Sequence, residues 1–235
     1  MQSLPVLLTR PEADAQRFAA ALRRAADVEV VISPLLRILP LDPPPPGTET
    51  LLLTSGNAVR IGLDRAKGQG RRAWVVGPRT ADLARAAGVE VLGTAADVDT
   101  LVDLVPGDAG PLLHLRGAVT RGDLAGRLRA RGLSVAEHVA YRQEPQPLSE
   151  QARAVLRAGP VLAPVFSPRS AELLGAACTP RMRGNLRPLA LSAAVAEALP
   201  RPPVAVSARP DGMAMLELTV EVLRRSAVEG GRSSV

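Results

Sequence analysis

The stretch LLLTSGNAVRIGL, residues 51–63, joins a short apolar run to a polar turn and then to a helix-like segment. The apolar residues 51–53 predict a strand, and the turn TSGN at 54–57 places two hydroxyls and free backbone N–H groups at a helix start. A second stretch, VLAPVFSPRSAELLG at 161–175, repeats this arrangement. Strand, turn and helix in this order are typical of parallel α/β sheets, so these stretches decide the fold class.

Length and composition indicate a globular protein of one large domain or two smaller ones. The 235 residues are 46% hydrophobic and 22% charged, but only 2% aromatic, so a core must be built from Leu, Val and Ala. No apolar run approaches the ~18 residues of a membrane span, and the N-terminus lacks signal-peptide features. The single cysteine, Cys178, fits a reducing compartment, so we expect a cytoplasmic protein without a membrane segment.

Charge and metal-binding residues narrow the ligand classes. The formal net charge is +6, almost all of it from arginine, and basic charge favours polyanions. Long basic runs and aromatic residues for base stacking are missing, so we expect no nucleic-acid partner. A carboxylate-rich small molecule remains an alternative, because guanidinium groups pair with carboxylates. With one cysteine and two histidines far apart, we expect no metal.

The chain contains an internal repeat of strand and helix patterns. Three pairs of segments match in the same order: 6–32 with 112–139, 51–63 with 161–175, and 74–92 with 189–206. The repeat predicts two similar lobes. Pro164 interrupts one predicted strand, and we expect an edge strand or a bulge there.

Apolar residues three and four positions apart predict one buried face in two helices. In the segment 11–25 these are Ala15, Phe18, Ala19 and Leu22. In the segment 211–225 they are Met213, Leu216, Val220 and Leu223.

Two proline-containing segments, DPPPPG at 42–47 and YRQEPQP at 141–147, are the natural crossing points between lobes. From Glu229 onward, the composition predicts a disordered tail, residues 229–235.

Four turns share one design, each between a predicted strand and a predicted helix: TRPE (9–12), TSGN (54–57), GPRT (77–80) and FSPRS (166–170). In open α/β sheets such turns line the ligand-binding crevice, and their free N–H groups favour anions. Ser and Thr are also preferred N-caps without any ligand. Both interpretations remain open from the residues alone.

Two enzyme classes are disfavoured. A serine hydrolase needs a base beside Ser55 or Ser167 and a nucleophile-elbow pattern, but the pattern is absent and both histidines fall in or at the end of strands, where a structural role is commoner. A dinucleotide-binding site is disfavoured because the glycine pair at 68–70 precedes a strand, whereas the glycine-rich fingerprint follows one. Tyr141, the chain's one tyrosine, either donates a proton in a cleft or packs as a structural ring.

The ordered set of motifs resembles uroporphyrinogen-III synthases. The resemblance rests on TRPEADAQRFAAALR, LLLTSGNAVR, VVGPRTADLARAAGVEV, LLHLRG with RARGLSVAEHVAYR, and FSPRSAELL. It implies two lobes with flavodoxin-like folds, each a parallel sheet flanked by helices. One lobe would contain residues 1–36 and 145–228 and the other residues 42–138, with a two-strand linker at 37–41 and 139–144.

The resemblance also implies an activity. The family is a lyase that closes linear hydroxymethylbilane into uroporphyrinogen III, inverting ring D through azafulvene and spiro intermediates in the cleft between lobes. No metal or cofactor takes part. The implied partner is a linear tetrapyrrole polycarboxylate bound by a cytoplasmic monomer, with transient transfer from hydroxymethylbilane synthase.

By the same resemblance, Tyr141 matches the family's tyrosine and would assist hydroxide departure as a proton donor. The matching substrate-binding positions are Arg10, Thr54, Ser55, Asn57, Gly77, Thr80, Arg116, Gly117, Ser167 and Ser192. The family's second G-x-x-T-A turn is replaced by SAAVA at 192–196, which removes a threonine hydroxyl. The alternative is therefore a non-catalytic tetrapyrrole- or polyanion-binding module of the same fold.

Overall fold

The structure is a computed structural model that describes residues 4–42, 44, 47–63, 68–120 and 122–232. Eleven strands lie in the described part of the chain: β1 (Val6–Leu8), β2 (Val30–Ile32), β3 (Leu36–Pro40), β4 (Thr50–Leu53), β5 (Arg72–Val76), β6 (Glu90–Ala95), β7 (Leu112–Gly117), β8 (Val135–Pro145), β9 (Val161–Val165), β10 (Leu186–Ala190) and β11 (Ala205–Val206).

Helices follow most of these strands. They are α1 (Glu12–Ala25), α2 (Gly56–Gly62), α3 (Pro78–Ala86), α4 (Val98–Leu104), α5 (Leu124–Ala130), α6 (Glu150–Ala158), α7 (Pro168–Ala177), α8 (Pro180–Asn185), α9 (Ala193–Glu197) and α10 (Gly212–Arg232).

The chain divides into two compact units. Unit 1 comprises Met1–Arg37 and Pro145–Val235, and unit 2 comprises Ile38–Glu144. Unit 1 is built on a five-stranded sheet of order β2-β1-β9-β10-β11, in which every neighbouring pair is parallel.

Unit 2 is built on a six-stranded sheet of order β3-β8-β7-β4-β5-β6. In the part β8-β7-β4-β5-β6, every neighbouring pair of strands is parallel. The sheet is mixed because β3, at its edge, runs antiparallel to β8. The α/β fold is confirmed, with the edge strand β3 as an addition to the parallel sheet.

The two sheets have matching topologies. The order β2-β1-β9-β10-β11 corresponds strand by strand to β8-β7-β4-β5-β6, which is the pairing that the internal repeat predicts. Both follow the flavodoxin-like order 2-1-3-4-5. In such sheets the order reverses between the first and third strands, and ligands bind beyond the carboxyl ends there. This switch point lies between β1 and β9 in unit 1 and between β7 and β4 in unit 2.

Leucine, valine and alanine form the core on both faces of each sheet. In β4, Leu51 and Leu53 pack with residues of α2 and α3, while Leu52 packs with residues of α4 and α5. All three leucines are fully buried, and burial of each such side chain contributes roughly 1.5–3 kcal/mol. A strand buried on both faces explains why 51–53 is continuously apolar.

The predicted helix faces are confirmed for α1 and only in part for α10. All four predicted residues of α1 are buried: Ala15, Phe18, Ala19 and Leu22. In α10, Val220 and Leu223 are buried, but Met213 is 62% exposed and Met215 is buried instead. The most deeply buried stripe of α10 is Met215, Thr219 and Val222, at i, i+4 and i+7, so the buried face is rotated from the predicted stripe and Met213 falls outside it.

Pro164 lies in β9, an inner strand, so the prediction of an edge or a bulge is wrong. It pairs in regular register with Leu189 of β10. The N–H of Leu162 donates to the carbonyl of Pro5, and alternate residues of a strand face the same side, so the nitrogen of Pro164 also faces β1. In the described residues the β1–β9 register consists of Val6 with Leu162. By this register Pro164 lies opposite Leu8, so its missing donor ends the β1–β9 ladder, while the pairing with β10 stays regular.

The last helix extends into the first four residues of the predicted tail. Residues 229–232 are helical within α10, and residues 233–235 lie outside the described residues. An established helix adds one hydrogen bond for each residue that it gains, so Gly230 and Gly231 do not end it. Among the described residues, no helix combines the length and the apolar character needed to cross a membrane.

Candidate active site

The predicted site residues lie in turns at the carboxyl ends of neighbouring strands. In unit 2, Thr54 and Ser55 follow β4, Gly77 follows β5, and Gly117 ends β7. In unit 1, Arg10 follows β1, Ser167 follows β9, and Ser192 follows β10. Each unit thus has three such turns on adjacent strands, and two of these strands are the pair that flanks its switch point.

A cavity of about 190 Å³ lies at the switch point of unit 2. Its polar lining includes two hydroxyl residues of the turn after β4, a histidine of β7 and the tyrosine of β8. Its apolar lining comes from α4, α5 and the turn after β7. The lining residues are Thr54, Ser55, Val98, His114, Gly117, Val119, Thr120, Leu124 and Tyr141. The cavity therefore brings together three of the predicted hydroxyl-bearing residues.

Tyr141 is held in the cavity wall by its neighbour on β7. It is 5% exposed and is the cross-strand partner of Gly117. Its phenol donates a hydrogen bond to Oγ of Ser55 at 3.1 Å. A Cβ atom at Gly117 would lie 2.7 Å from the ring carbon Cζ and 2.9 Å from the phenol oxygen. Glycine is needed at 117 because the tyrosine ring occupies the side-chain space.

Ser55 is the N-cap of α2. Its backbone is extended, and its Oγ accepts a hydrogen bond from the N–H of Asn57 at 3.2 Å. The Asn57 side chain accepts from Arg60 at 3.2 Å on the exposed side of the helix. The capping prediction for this turn is confirmed, and the same hydroxyl also lines the cavity.

Thr54 and His114 form a second polar pair in the cavity lining. Oγ1 of Thr54 lies 3.3 Å from Nε2 of His114, within hydrogen-bonding distance. Burial lowers the pKa of His114 to about 4, with Arg116 lowering it further and Glu137 opposing the shift, so the ring is neutral at physiological pH. Its Nδ1 is buried without a hydrogen-bond partner among the described residues, unlike the satisfied structural histidine that the sequence predicts.

Two further predicted residues of unit 2 are occupied by protein contacts. The guanidinium of Arg116 pairs with Glu137, with Nε 2.7 Å from Oε1, and it donates to the carbonyl of Gly117 at 3.1 Å. Thr80 is buried in the first turn of α3, and its N–H donates to the carbonyl of Gly77 at 3.1 Å. Neither side chain belongs to the cavity lining.

Gly77 is the N-cap of α3 and has a φ of 81°. This left-handed conformation favours glycine, whereas the space around its missing side chain is open among the described residues. Gly77 therefore serves the geometry of the turn, and its carbonyl accepts the N–H groups of Thr80 and Ala81.

Arg10 is held in place within unit 1. Its guanidinium lies 3.9 Å from the centroid of the Phe166 ring and 3.4 Å from the Asp14 carboxylate. Phe166 in turn packs edge-on against Phe18, with ring centroids 5.2 Å apart. Burial lowers the pKa of Arg10 and Asp14 opposes that shift, but an arginine remains charged. The arrangement presents a fixed cation beside the turn after β9.

The turns after β9 and β10 differ in their capping. Oγ of Ser167 accepts from the N–H of Ser170 at 3.1 Å and shares a hydrogen bond with the Ser170 hydroxyl at 2.9 Å. Ser192 is the N-cap of α9, but its side chain makes no capping hydrogen bond among the described residues. Val195 is 2% exposed in the core. The position of the missing threonine is therefore a packed one.

The structure adds residues that the sequence analysis does not assign to the site. His114, Val98, Val119, Thr120 and Leu124 line the cavity, although no short motif marks them. The register of β7 against β4, in which His114 pairs with Leu52, identifies His114 as a neighbour of Thr54. The contact between Arg10 and Phe166 joins two predicted turns of unit 1, which a sequence pattern does not relate.

Comparisons with known proteins agree with this arrangement. The model of the family described as uroporphyrinogen-III synthase HemD matches residues 16–217. No curated protein matches the chain.

Two solved structures are similar in fold. Uroporphyrinogen-III synthetase from Helicobacter pylori is 18% identical, with a TM-score of 0.66, and the match covers 94% of this chain and 100% of that chain. A mutant uroporphyrinogen III synthase from the extremely thermophilic bacterium Thermus thermophilus is 19% identical, with a TM-score of 0.59, and the match covers 95% of this chain and 100% of that chain.

At these identities the structural matches show the shared fold, and the family assignment rests on the family model, which spans most of the chain. The turns that carry the sequence motifs are the turns that surround the switch point of each unit. The chain belongs to the uroporphyrinogen-III synthase family, and it is a lyase of porphyrin biosynthesis.

Proposed function

We propose that the protein cyclises hydroxymethylbilane to uroporphyrinogen III and inverts ring D, with Tyr141 supplying the proton for hydroxide departure. The observation that carries this proposal is the cavity at the switch point of unit 2. There the Tyr141 phenol bonds to Ser55, and both side chains line the same space as Thr54. General acid catalysis needs a proton donor beside the leaving group, and a phenol is such a donor.

Departure of the terminal hydroxyl gives an azafulvene. The far pyrrole ring then attacks at its substituted carbon to form a spiro intermediate, which fragments and recloses with that ring inverted. The competing reaction is closure at the unsubstituted carbon. The protein's main task is to hold the substituted carbon nearest to the azafulvene, which is a task of positioning.

Carboxylates on the pyrrole rings give the protein its means of positioning. In unit 2 the proposed binding positions are the hydroxyls of Thr54 and Ser55, the turn residues Asn57, Gly77, Thr80 and Gly117, and the Arg116 guanidinium. In unit 1 they are Arg10, Ser167 and Ser192. Support comes from their placement at the carboxyl ends of adjacent strands, where N–H groups of helix starts favour anions. We propose that turns of both units contribute contacts to the bilane.

The test is ring closure itself. Hydroxymethylbilane generated in the assay by its synthase closes spontaneously at a background rate. With the protein present, we expect bilane to disappear faster in proportion to protein concentration, and Y141F to lower that rate by about 100-fold. A rate that does not depend on folded protein would contradict the proposal.

The second candidate is a non-catalytic tetrapyrrole-binding module of the same fold. The turn after β10 favours it, because Val195 fills the threonine position with a buried side chain and Ser192 replaces the family's glycine. This candidate predicts saturable binding of the bilane with no change in its rate of closure.

A cytoplasmic location, a monomeric state and transfer from hydroxymethylbilane synthase remain predictions.

A further inference from the structure

The donor hydrogen of the Ser55 hydroxyl has no acceptor among the described residues. A serine hydroxyl offers one donor hydrogen and two acceptor lone pairs. The N–H of Asn57 and the phenol of Tyr141 both donate to its Oγ, at 3.2 and 3.1 Å. Among the described residues, none accepts the Ser55 hydrogen. Ser55 therefore meets a ligand in the cavity as a hydrogen-bond donor.

The Tyr141 hydrogen, in contrast, is already directed to Ser55. The ring is buried, and Gly117 fixes it by leaving its side-chain space to the ring. For direct transfer from Tyr141, a leaving hydroxyl would have to displace Ser55 from the phenol. Transfer through Ser55 needs no such displacement, because Ser55 lines the cavity and bonds to the phenol at the same time.

We propose that Ser55 gives its proton to the departing hydroxyl of the bilane while Tyr141 replaces that proton on Ser55. The inference rests on the proposed function, since it concerns the same leaving group. Ser55 is then the catalytic residue that touches the reacting atoms, and Tyr141 acts through it.

The steps balance. The O–H bond of Ser55 breaks as a new O–H bond forms on the leaving hydroxyl, and the C–O bond breaks to release water with electrons supplied by the pyrrole nitrogen. The Tyr141 O–H bond breaks as the Ser55 hydroxyl is restored, which leaves a phenolate. At reclosure the attacking ring carbon loses its hydrogen as a proton. That proton returns to the phenolate through Ser55.

Five variants of the full chain separate the two routes: S55A, S55N, S55T, Y141F and S55A/Y141F. S55A removes the donor and the N-cap oxygen, whereas S55N keeps a capping oxygen without a transferable hydroxyl proton. S55T keeps the hydroxyl. We expect S55A and S55N to lower kcat about 100-fold, as Y141F does, and S55T to stay within about threefold of wild type. The double variant S55A/Y141F should be no slower than the slower single variant, because both residues serve one transfer.

The control is S149A. Ser149 caps α6 by accepting from the N–H of Ala152 at 3.2 Å, as Ser55 caps α2, but it is not in the cavity lining. S149A should leave kcat unchanged. Rates in mixtures of H₂O and D₂O supply a second readout, because two protons in transit give a curved dependence on deuterium content and one proton gives a line.

Three results would overturn the inference: wild-type kcat in S55N together with a slow Y141F, multiplicative losses in the double variant, or a linear isotope dependence in the wild type. Failure of the proposed function is visible separately, as a wild-type protein that does not accelerate ring closure at all. That result would overturn the inference as well.

Discussion

Gly117 and Tyr141 are cross-strand partners, and the tyrosine ring occupies the space that a side chain at 117 would fill. A Cβ atom there would lie 2.7 Å from Cζ and 2.8 Å from Cε2 of the ring. Real Cβ atoms do not approach so closely, so one of the two strands or the ring must move. The ring position determines whether the phenol reaches Ser55 at 3.1 Å.

We therefore expect G117A to lower kcat about tenfold or more, because displacement of a proton donor by about 1 Å has a large effect on rate. The matched control is G184A in α8, where the space around the missing side chain is open among the described residues. G184A should keep full activity and gain about 0.5–1 kcal/mol in the free energy of unfolding. Steady-state kinetics and urea unfolding of both variants test this, and wild-type kcat in G117A would contradict it.

The buried histidine predicts a pH dependence of stability. Burial lowers the pKa of His114 from 6.5 to about 4, so between these pH values the unfolded chain binds a proton that the folded chain does not. Stability from this group is fully present above pH 6.5 and is lost as the pH falls towards 4. The loss amounts to about 3 kcal/mol. Urea unfolding from about pH 7.5 to about pH 4.5 measures it.

H114Q should flatten this dependence, because glutamine does not titrate. H138Q is the matched control, since His138 bonds through Nε2 to the carbonyl of Asp42 at 2.8 Å and lies outside the cavity lining. H138Q should retain the wild-type slope. Equal slopes in H114Q and the wild type would refute the assignment.

A comparison of S167A with S149A separates the capping role of Ser167 from a role in ligand binding. Its Oγ caps α7, and the same hydroxyl lies at the turn after β9. S167A and S149A should each lose about 1 kcal/mol of unfolding free energy, because each removes one N-cap hydrogen bond. Only S167A should raise KM, by about tenfold, since a hydrogen bond to a carboxylate is lost. Similar KM values in the two variants would show that Ser167 is a cap alone.

Arg10 and Arg17 both form an ion pair with the Asp14 carboxylate, so one can serve as a control for the other. Arg10 also stacks on Phe166, whereas the Arg17 side chain is 48% exposed. We expect R10K to raise KM about tenfold, because lysine lacks the planar group that stacks and binds carboxylates at two points. R17K should leave KM unchanged. If R10K also leaves KM unchanged, the Arg10 guanidinium does not bind the substrate.

Much of the fold follows from local sequence patterns. The run 51–53 is apolar throughout because β4 is buried on both faces, and the stripe in 11–25 matches the buried face of α1. The local pattern misplaces Pro164 because β9 keeps a regular register with β10 on one side while the missing donor ends its ladder with β1 on the other, and a single-strand pattern shows neither neighbour. It misplaces Met213 because apolar residues of α10 form two neighbouring stripes, and the more buried one passes through Met215 and Val222.

The site is less predictable. Polar turn residues such as Ser55 and Ser167 are visible in the sequence because capping and anion binding select the same residue types. No local pattern identifies His114 as a lining residue, because its proximity to Thr54 comes from strand register across 60 residues of chain. The Arg10–Phe166 contact likewise depends on β1 and β9 being neighbours.

The identity of the product tests most directly whether the protein is a uroporphyrinogen-III synthase. Hydroxymethylbilane is generated in the assay, the folded protein is added, and the uroporphyrinogens are oxidised and separated as isomers. Catalysis by the protein gives a dominant type III isomer, which requires both ring closure and inversion of ring D. If folded wild-type protein gives only the type I isomer that forms spontaneously, the protein does not catalyse this reaction, and the binding-module alternative replaces it.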